Sequence, residues 1–385
     1  MKEIQNIVEL YDSLDLDKHQ LALATVVKVI GSSYRQAGAR MMIVDDGRWV
    51  GSISGGCLEG DALRRARKVM LNGKAEIITY DTREESNTEV GLALGCNGVI
   101  EVLIEPIDTN REINQISLLK SLLEFKSHGV LATVFRSDNP YLVRIGERLL
   151  LNPDQELNSA HCSYKLQEAL EEDIKQVKIS RKPQLKPYYF PQGNIEVFFE
   201  IVLPPIQLMI FGAGFDAKPL TEYAKSLGWK VSISDECIAH LAPINFPSAD
   251  QIILCKRSYV RKNFFVTPYT AVVLMSHNYK YDKEVLKQIL PTQAGYIGIL
   301  GPRKRTDKIF QELEEKGITF SEEQQNLIHS PIGLDIGAST PDEIALSIIT
   351  EILAKFSHRS GGFLRNKKGP IHQRNQMNDL TFRKA

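Results

Sequence analysis

Cysteine is scarce: the 385 residues hold five, an odd number. That excludes the disulfide framework that staples small secreted domains. No apolar run approaches the ~20 residues that span a bilayer. The start, Met1-Lys2-Glu3-Ile4, carries charge where a signal peptide needs an apolar core. A cytoplasmic, reducing location without membrane attachment is therefore expected. An excess of either charge is missing too, since Lys plus Arg and Asp plus Glu each number 47. A nucleic-acid binder needs a basic surplus, so no such partner is expected. No internal repeat is legible along the chain.

What is present is ordinary for a globular protein, 43% hydrophobic and 24% charged. The length is too great for one core, so two or three domains are expected. Residues 357–385 stand apart, with seven basic side chains against the single acid Asp379. Their few apolar residues predict a disordered or partner-docked tail.

Helical spacing covers residues 4–16, and a β-rich stretch follows. Strands are predicted at 21–29 and 41–44, with a hairpin turn at Asp46-Gly47 into Trp49-Val50. A helix is predicted over 58–71, a strand over 99–104, a helix over 112–128 and strands over 130–135 and 197–202. Residues 152–190 read as loops around one acidic helix. Pro204-Pro205 marks a boundary, which gives an α+β domain over 1–204. Beyond it strands and helices alternate, as in a parallel sheet with helices on both faces. This second domain, over 205–356, closes on a helix started by the capping box Thr340-Pro341-Asp342-Glu343.

Two cysteines lie inside glycine-rich turns, Ser54-Gly55-Gly56-Cys57-Leu58-Glu59-Gly60 and Gly95-Cys96-Asn97-Gly98. A cysteine that merely fills a core needs no glycine beside it. Glycine lets the backbone turn sharply and lets another group approach the sulfur. Cys57 also stands where a helix begins, a setting that favours thiolate. Sulfur or soft-metal chemistry at Cys57 and Cys96 is the expectation. The alternative is a tight turn with an incidental thiol. Glu59 reads as a first-turn acid that serves the helix dipole, and Cys162, Cys237 and Cys255 read as filler or chance.

Gly212-Ala213-Gly214-Phe215-Asp216-Ala217 follows a predicted strand and opens a helix, the context of a dinucleotide-binding turn. Asp235, at the end of the next strand, stands where a ribose acceptor is expected. The other reading is a Rossmann fold with an empty site. Arg303-Lys304-Arg305 after Gly301-Pro302 faces a phosphate or forms a solvated loop, and His277 lies on the same sheet edge.

Taken together, the Ser54–Gly60 and Leu94–Gly98 turns and Ile210-Phe211-Gly212-Ala213-Gly214 resemble the XdhC/CoxI family. Tyr296–Gly301, Pro331–Ala338 and Pro341–Ala345 match it further, in the family's order. Two positions depart from its pattern: Phe215 replaces a histidine, and Asp235-Glu236-Cys237 replaces Asp-x-Arg. The resemblance implies an α/β protein, an XdhC/CoxI domain followed by a Rossmann-like domain. It implies a chaperone rather than a turnover enzyme. Such a protein holds the molybdenum cofactor (molybdopterin) for sulfuration by a cysteine desulfurase. It then passes the cofactor to an apo molybdenum hydroxylase of the xanthine dehydrogenase type.

On that reading Cys57 and Cys96 meet in one pocket and touch molybdenum or relay sulfur. Gly55, Gly56, Gly95 and Gly98 offer backbone N–H groups, and Arg35 or Arg40 pairs with the phosphate. In the second domain Gly212, Gly214, Asp235 and Arg303 are the candidate residues for NAD(P) or another nucleotide. A homodimer would suit cofactor handover. The competing class is an NAD(P)-dependent oxidoreductase, and a third reading is a Cys57–Cys96 redox switch.

Overall fold

The computed structural model describes residues 1–83, 98–154, 156–160, 164–368 and 371. The chain divides into two compact units between Pro204 and Pro205.

The N-terminal unit runs α1 (Lys2–Asp12), β1 (Leu21–Gly31), β2 (Arg40–Val44), β3 (Trp49–Gly51), α2 (Glu59–Asn72), β4 (Glu76–Asp81) and β5 (Gly98–Ile107). It continues with α3 (Gln115–Leu122), β6 (Gly129–Ser137), β7 (Arg148–Leu151) and β8 (Leu157–Ala160). Then come α4 (Tyr164–Ser180), β9 (Gln184–Phe190) and β10 (Gly193–Val202). The first five strands form one antiparallel sheet in the order β3-β2-β1-β5-β4. The next five form another in the order β8-β7-β6-β10-β9.

These orders are one pattern used twice, so the expectation of no internal repeat is overturned. From β1 to β4 the described strands and helix recur 108 positions later. Thr25 pairs with Arg40 and Thr133 with Arg148. Gly38 and Gly146 both have positive φ, +94° and +93°. After β4 the shift becomes 95, because residues 82–97 join β4 to β5 whereas Pro191-Gln192 alone join β9 to β10. Ile100-Glu101-Val102 then matches Ile195-Glu196-Val197. The bulge in β1 at Val27 recurs in β6 at Phe135.

Alternation along the strands sends successive side chains to opposite faces. On the first sheet Ala22, Ala24 and Val26 pack with Ala62, Ala66 and Val69 of α2. On the second, Val130, Ala132 and Val134 pack with Leu170, Ile174 and Val177 of α4. The inner faces meet through Leu23 and Leu131, and through Val27, Leu103, Phe135 and Phe198. Helix α2 ends at Gly73, whose φ of +65° provides the left-handed cap.

Two buried ion pairs cross between the sheets reciprocally. Arg40 of β2 pairs with Glu200 of β10, and Arg148 of β7 pairs with Glu105 of β5. Each arginine also donates to the carbonyl of the glycine two residues before it, at 2.8 and 2.9 Å. Such exchange of partners, i to j and j to i, is the pattern of an isologous interface. Burial works against the charge of Arg148, but the Glu105 carboxylate outweighs it and raises the guanidinium's pKa.

The C-terminal unit holds six parallel strands: β11 (Gln207–Phe211), β12 (Lys230–Asp235), β13 (Gln251–Leu254), β14 (Thr270–Leu274), β15 (Tyr296–Ile299) and β16 (Ile328–His329). Their order, β13-β12-β11-β14-β15-β16, is that of a Rossmann sheet. Helices α5 (Ala217–Ser226), α6 (Val260–Asn263), α7 (Tyr279–Ile289), α8 (Arg303–Glu314), α9 (Glu322–Gln325) and α10 (Pro341–Phe356) complete it. Thr340 and Glu343 form the expected capping box on α10, and backbone N–H groups lower the Glu343 pKa to about 2. The stretch 152–190, expected as loops around one helix, also carries β8 and β9. Strand β9 lies at a sheet edge, where its Pro187 is tolerated.

Candidate functional site

The turn from β3 into α2 is held by one carboxylate. Glu59, the first residue of α2, is buried and faces back into the turn. Its Oε1 accepts from the Ser52 hydroxyl at 2.8 Å and from the Ser54 N–H at 2.9 Å. The Ser54 hydroxyl donates to its other oxygen. Ser54 Oγ in turn accepts from the N–H groups of Gly56 and Leu58, at 3.3 and 3.0 Å. Burial alone would raise the pKa of Glu59. The bonds from Ser54 and Ser52 outweigh it, so the pKa falls below the ordinary value. Glu59 is thus more than a dipole-matching acid. This Ser-x-Ser-x4-Glu lock is a residue set the motif reading missed, though its spacing is visible in the chain.

The locked turn presents Cys57 to solvent as a free thiol. Gly56 has φ +111°, and a Cβ at Gly56 or Gly60 would meet nothing within 4 Å. Space is therefore open on both sides of the thiol-bearing residue. A Cβ on Gly55 would lie 3.2 Å from the ring of Tyr34, which belongs to the β1–β2 loop. Gly98 approaches the same loop, since a Cβ there would lie 2.3 Å from the Ser32 carbonyl oxygen. Gly98 also exchanges hydrogen bonds with Thr82. The start of β5 and the Cys57 turn thus both rest on residues 32–34. Gly95, Cys96 and Cys162 lie outside the described residues.

Arg35 of that loop and Arg40 at the start of β2 each have a carboxylate partner. Arg35 pairs with Glu3 of α1. Arg40 is buried at the start of β2. Its buried guanidinium is engaged by Glu200 and by the Gly38 carbonyl. Its carbonyl oxygen accepts from Ser52 N–H at 2.9 Å and so anchors the start of the locked turn.

In the C-terminal unit, Gly212 has φ +118°, and a Cβ there would lie 2.5 Å from the Ser276 backbone. Only glycine fits between the first and fourth strands of this sheet. Around Gly214 the space is open. Asp235 is buried and its carboxylate is already engaged. Oδ2 accepts from Ala213 N–H at 3.0 Å and contacts His240 at 3.1 Å, and Oδ1 accepts from Cys237 N–H at 2.9 Å. It braces the glycine turn rather than standing free. His277, at φ +56°, reaches Asp216 at 3.1 Å.

Of the three cations after Gly301, Arg303 is exposed at the head of α8, while Arg305 is claimed by the fully buried Asp282. Burial raises the Asp282 pKa despite Ser276 and Arg305 beside it. Cys237 is exposed. Cys255 is buried, which pushes its thiol pKa up, as suits a packing residue.

Known proteins align with most of this chain. The XdhC and CoxI family matches residues 16–81, and the XdhC Rossmann domain matches residues 208–352. A probable xanthine dehydrogenase subunit of Bacillus subtilis (strain 168) is 29% identical over 348 residues, covering 90% of this chain and 97% of that one. The molybdenum cofactor insertion chaperone PaoD of Escherichia coli (strain K12) is 23% identical over 337 residues, covering 88% and 84%. The crystal structure of a xanthine dehydrogenase from Bacillus halodurans superposes with a TM-score of 0.72 at 28% identity. It spans 94% of this chain and 97% of the other.

Proposed function

The chain belongs to the XdhC/CoxI family, and from that premise we propose that it holds the molybdenum cofactor during maturation of a molybdenum hydroxylase. The observation that carries this reading is the locked turn. A free, exposed thiol is held between two glycines that leave open space around it. A soft thiolate suits a soft metal centre. The bound cofactor supplies the molybdenum to be transferred, and the protein supplies a fixed sulfur and backbone N–H groups. Arg35, at the loop surface and paired with Glu3, is the arginine left to approach the phosphate.

Cys96 is the second proposed sulfur. It precedes Gly98 by two residues, and a chain reaches at most about 3.6 Å per residue. The edge occupied by Gly98 and Ser32 is therefore within its reach. In the relay role, a cysteine thiolate of this chain attacks the terminal sulfur of a cysteine desulfurase persulfide. The S–S bond of that persulfide breaks, and the desulfurase thiolate leaves with the electron pair. The apo hydroxylase of the xanthine dehydrogenase type is the proposed recipient, with a cytoplasmic homodimer as the acting form.

The test is purification from a host that makes the cofactor, followed by assay of bound molybdenum and pterin. Cys57→Ala is expected to retain less than about a tenth of the wild-type content. Full occupancy in that variant removes Cys57 as a ligand.

An NAD(P)-dependent oxidoreductase is the second reading, favoured by the strand order and by Gly212. The engagement of Asp235 within its own turn speaks against it. Saturable binding of NAD or NADPH with turnover would establish it in place of the first.

A further inference from the structure

Resting on the cofactor-holding reading, we propose that Tyr34 is the platform on which the flat pterin ring stacks, so that it sets the ligand class of the site. Tyr34 is a large aromatic side chain left 68% exposed. Its loop is nonetheless fixed on both sides. Ser32 is pressed by Gly98, and Arg35 is paired with Glu3. The base of the ring is seated over Gly55, two residues from Cys57, and any side chain at position 55 would meet the ring. An aromatic ring in a fixed place with an exposed surface offers stacking to any planar heterocycle.

The internal repeat gives independent support. The counterpart of Tyr34 in the second half is Leu142, and that of Gly55 is Ser163. The half whose sequence lacks the glycine-cysteine turn has leucine at the ring's place, with the exposed Tyr141 one position earlier, and serine at the place of the glycine seat. Fold alone therefore does not require an aromatic residue here. A Cβ on Gly56 or Gly60 would meet nothing within 4 Å, so the surface next to Cys57 is open to a ligand.

The full-length protein is titrated with pterin-6-carboxylate, a fluorescent metal-free probe, and quenching is followed. Wild type is expected to bind saturably. Tyr34→Phe should bind within about threefold of wild type, and Tyr34→Trp at least as tightly. Tyr34→Leu, the residue of the second half, should lose about tenfold. Cys57→Ala should keep probe affinity while losing molybdenum, which separates the ring from the metal end. Wild-type affinity in Tyr34→Leu, or a tenfold loss in Tyr34→Trp, overturns the platform. So does a wild-type protein that does not bind the probe. In each case the molybdenum content of Cys57→Ala decides separately whether the cofactor-holding reading stands.

Discussion

Residues 21–80 and residues 129–188 fold the same way, yet among the described residues only the first passage carries a locked glycine turn. The shared residues are those that build the sandwich. Thr25 and Thr133, Gly38 and Gly146, Arg40 and Arg148, and Leu58 and Leu166 all occupy matching places. Among the many positions that differ, one set lies at one edge. Ser52, Ser54, Cys57, Glu59 and Gly60 correspond to Ala160, Cys162, Lys165, Gln167 and Glu168. The β4–β5 connection, which bears Cys96, corresponds to a tight hairpin in the second half. Among the described residues one half is therefore scaffold, and the other is the same scaffold with one edge rebuilt. Glu200 of the scaffold half pairs with Arg40, and the Arg40 carbonyl holds Ser52. The second half thereby supports the rebuilt edge of the first.

The strongest way to break the comparison is to unpair the two cross-sheet clasps. Removing one partner of a buried ion pair leaves an uncompensated charge and costs about 3–5 kcal/mol. Glu105→Gln and Glu200→Gln should both fall in that range by denaturant unfolding. Glu105→Gln should cost more, because both of its pair's side chains are 3% exposed against 4% and 10% for Arg40 and Glu200. A large cost at one clasp and none at the other would end the claim that the halves pack equivalently. Glu200→Gln should also reduce cofactor content by loosening Arg40 beneath the turn, which Glu105→Gln should not do.

The chain itself showed some of this plainly and hid the rest for physical reasons. The C-terminal sheet was legible because parallel strands are buried on both faces and read as continuous apolar runs, such as Leu208–Phe211. The glycine turns at Gly56 and Gly212 were legible because few residues other than glycine tolerate those backbone angles. The repeat was hidden because its identities are few and scattered, and because the unequal connections after β4 and β9 change the shift from 108 to 95. The burial of Arg40 was hidden because its partner Glu200 lies 160 residues away. No local pattern distinguishes an arginine aimed at a phosphate from one aimed at the opposite sheet.

A smaller effect sharpens the comparison at Glu59. Its pKa is lowered in the folded protein because three hydrogen bonds favour the carboxylate. An acid with a depressed folded pKa stabilises above its unfolded value, about 4.3, and that stability is lost as pH falls through the folded value. Its counterpart Gln167 does not titrate. Hydrogen exchange corrected for intrinsic rates should therefore show the 52–60 segment losing protection below pH ~4 before α4 does. Glu59→Gln should cost about 1–3 kcal/mol and abolish that acid step. An unchanged acid profile in Glu59→Gln would show that the lock is not what orders the turn.

The smallest expected effect tests the alignment of the halves at single-residue resolution. Ser54-Gly55-Gly56-Cys57 and Ser159-Ala160-His161-Cys162 look alike when written one above the other. That match needs a shift of 105, whereas the paired strands require 108. At the structural shift Ser159 falls on Gly51, the last residue of β3, just as Ser159 itself lies within β8. Cys162 then corresponds to Ser54 and Lys165 to Cys57. The second Ser-x-x-Cys is three residues out of register, and its thiol has no claim to the role of Cys57. Cys162→Ser should keep wild-type cofactor content. Loss of cofactor in that variant would mean that the resemblance in sequence outranks the register of the sheets, and that both halves contribute a working sulfur.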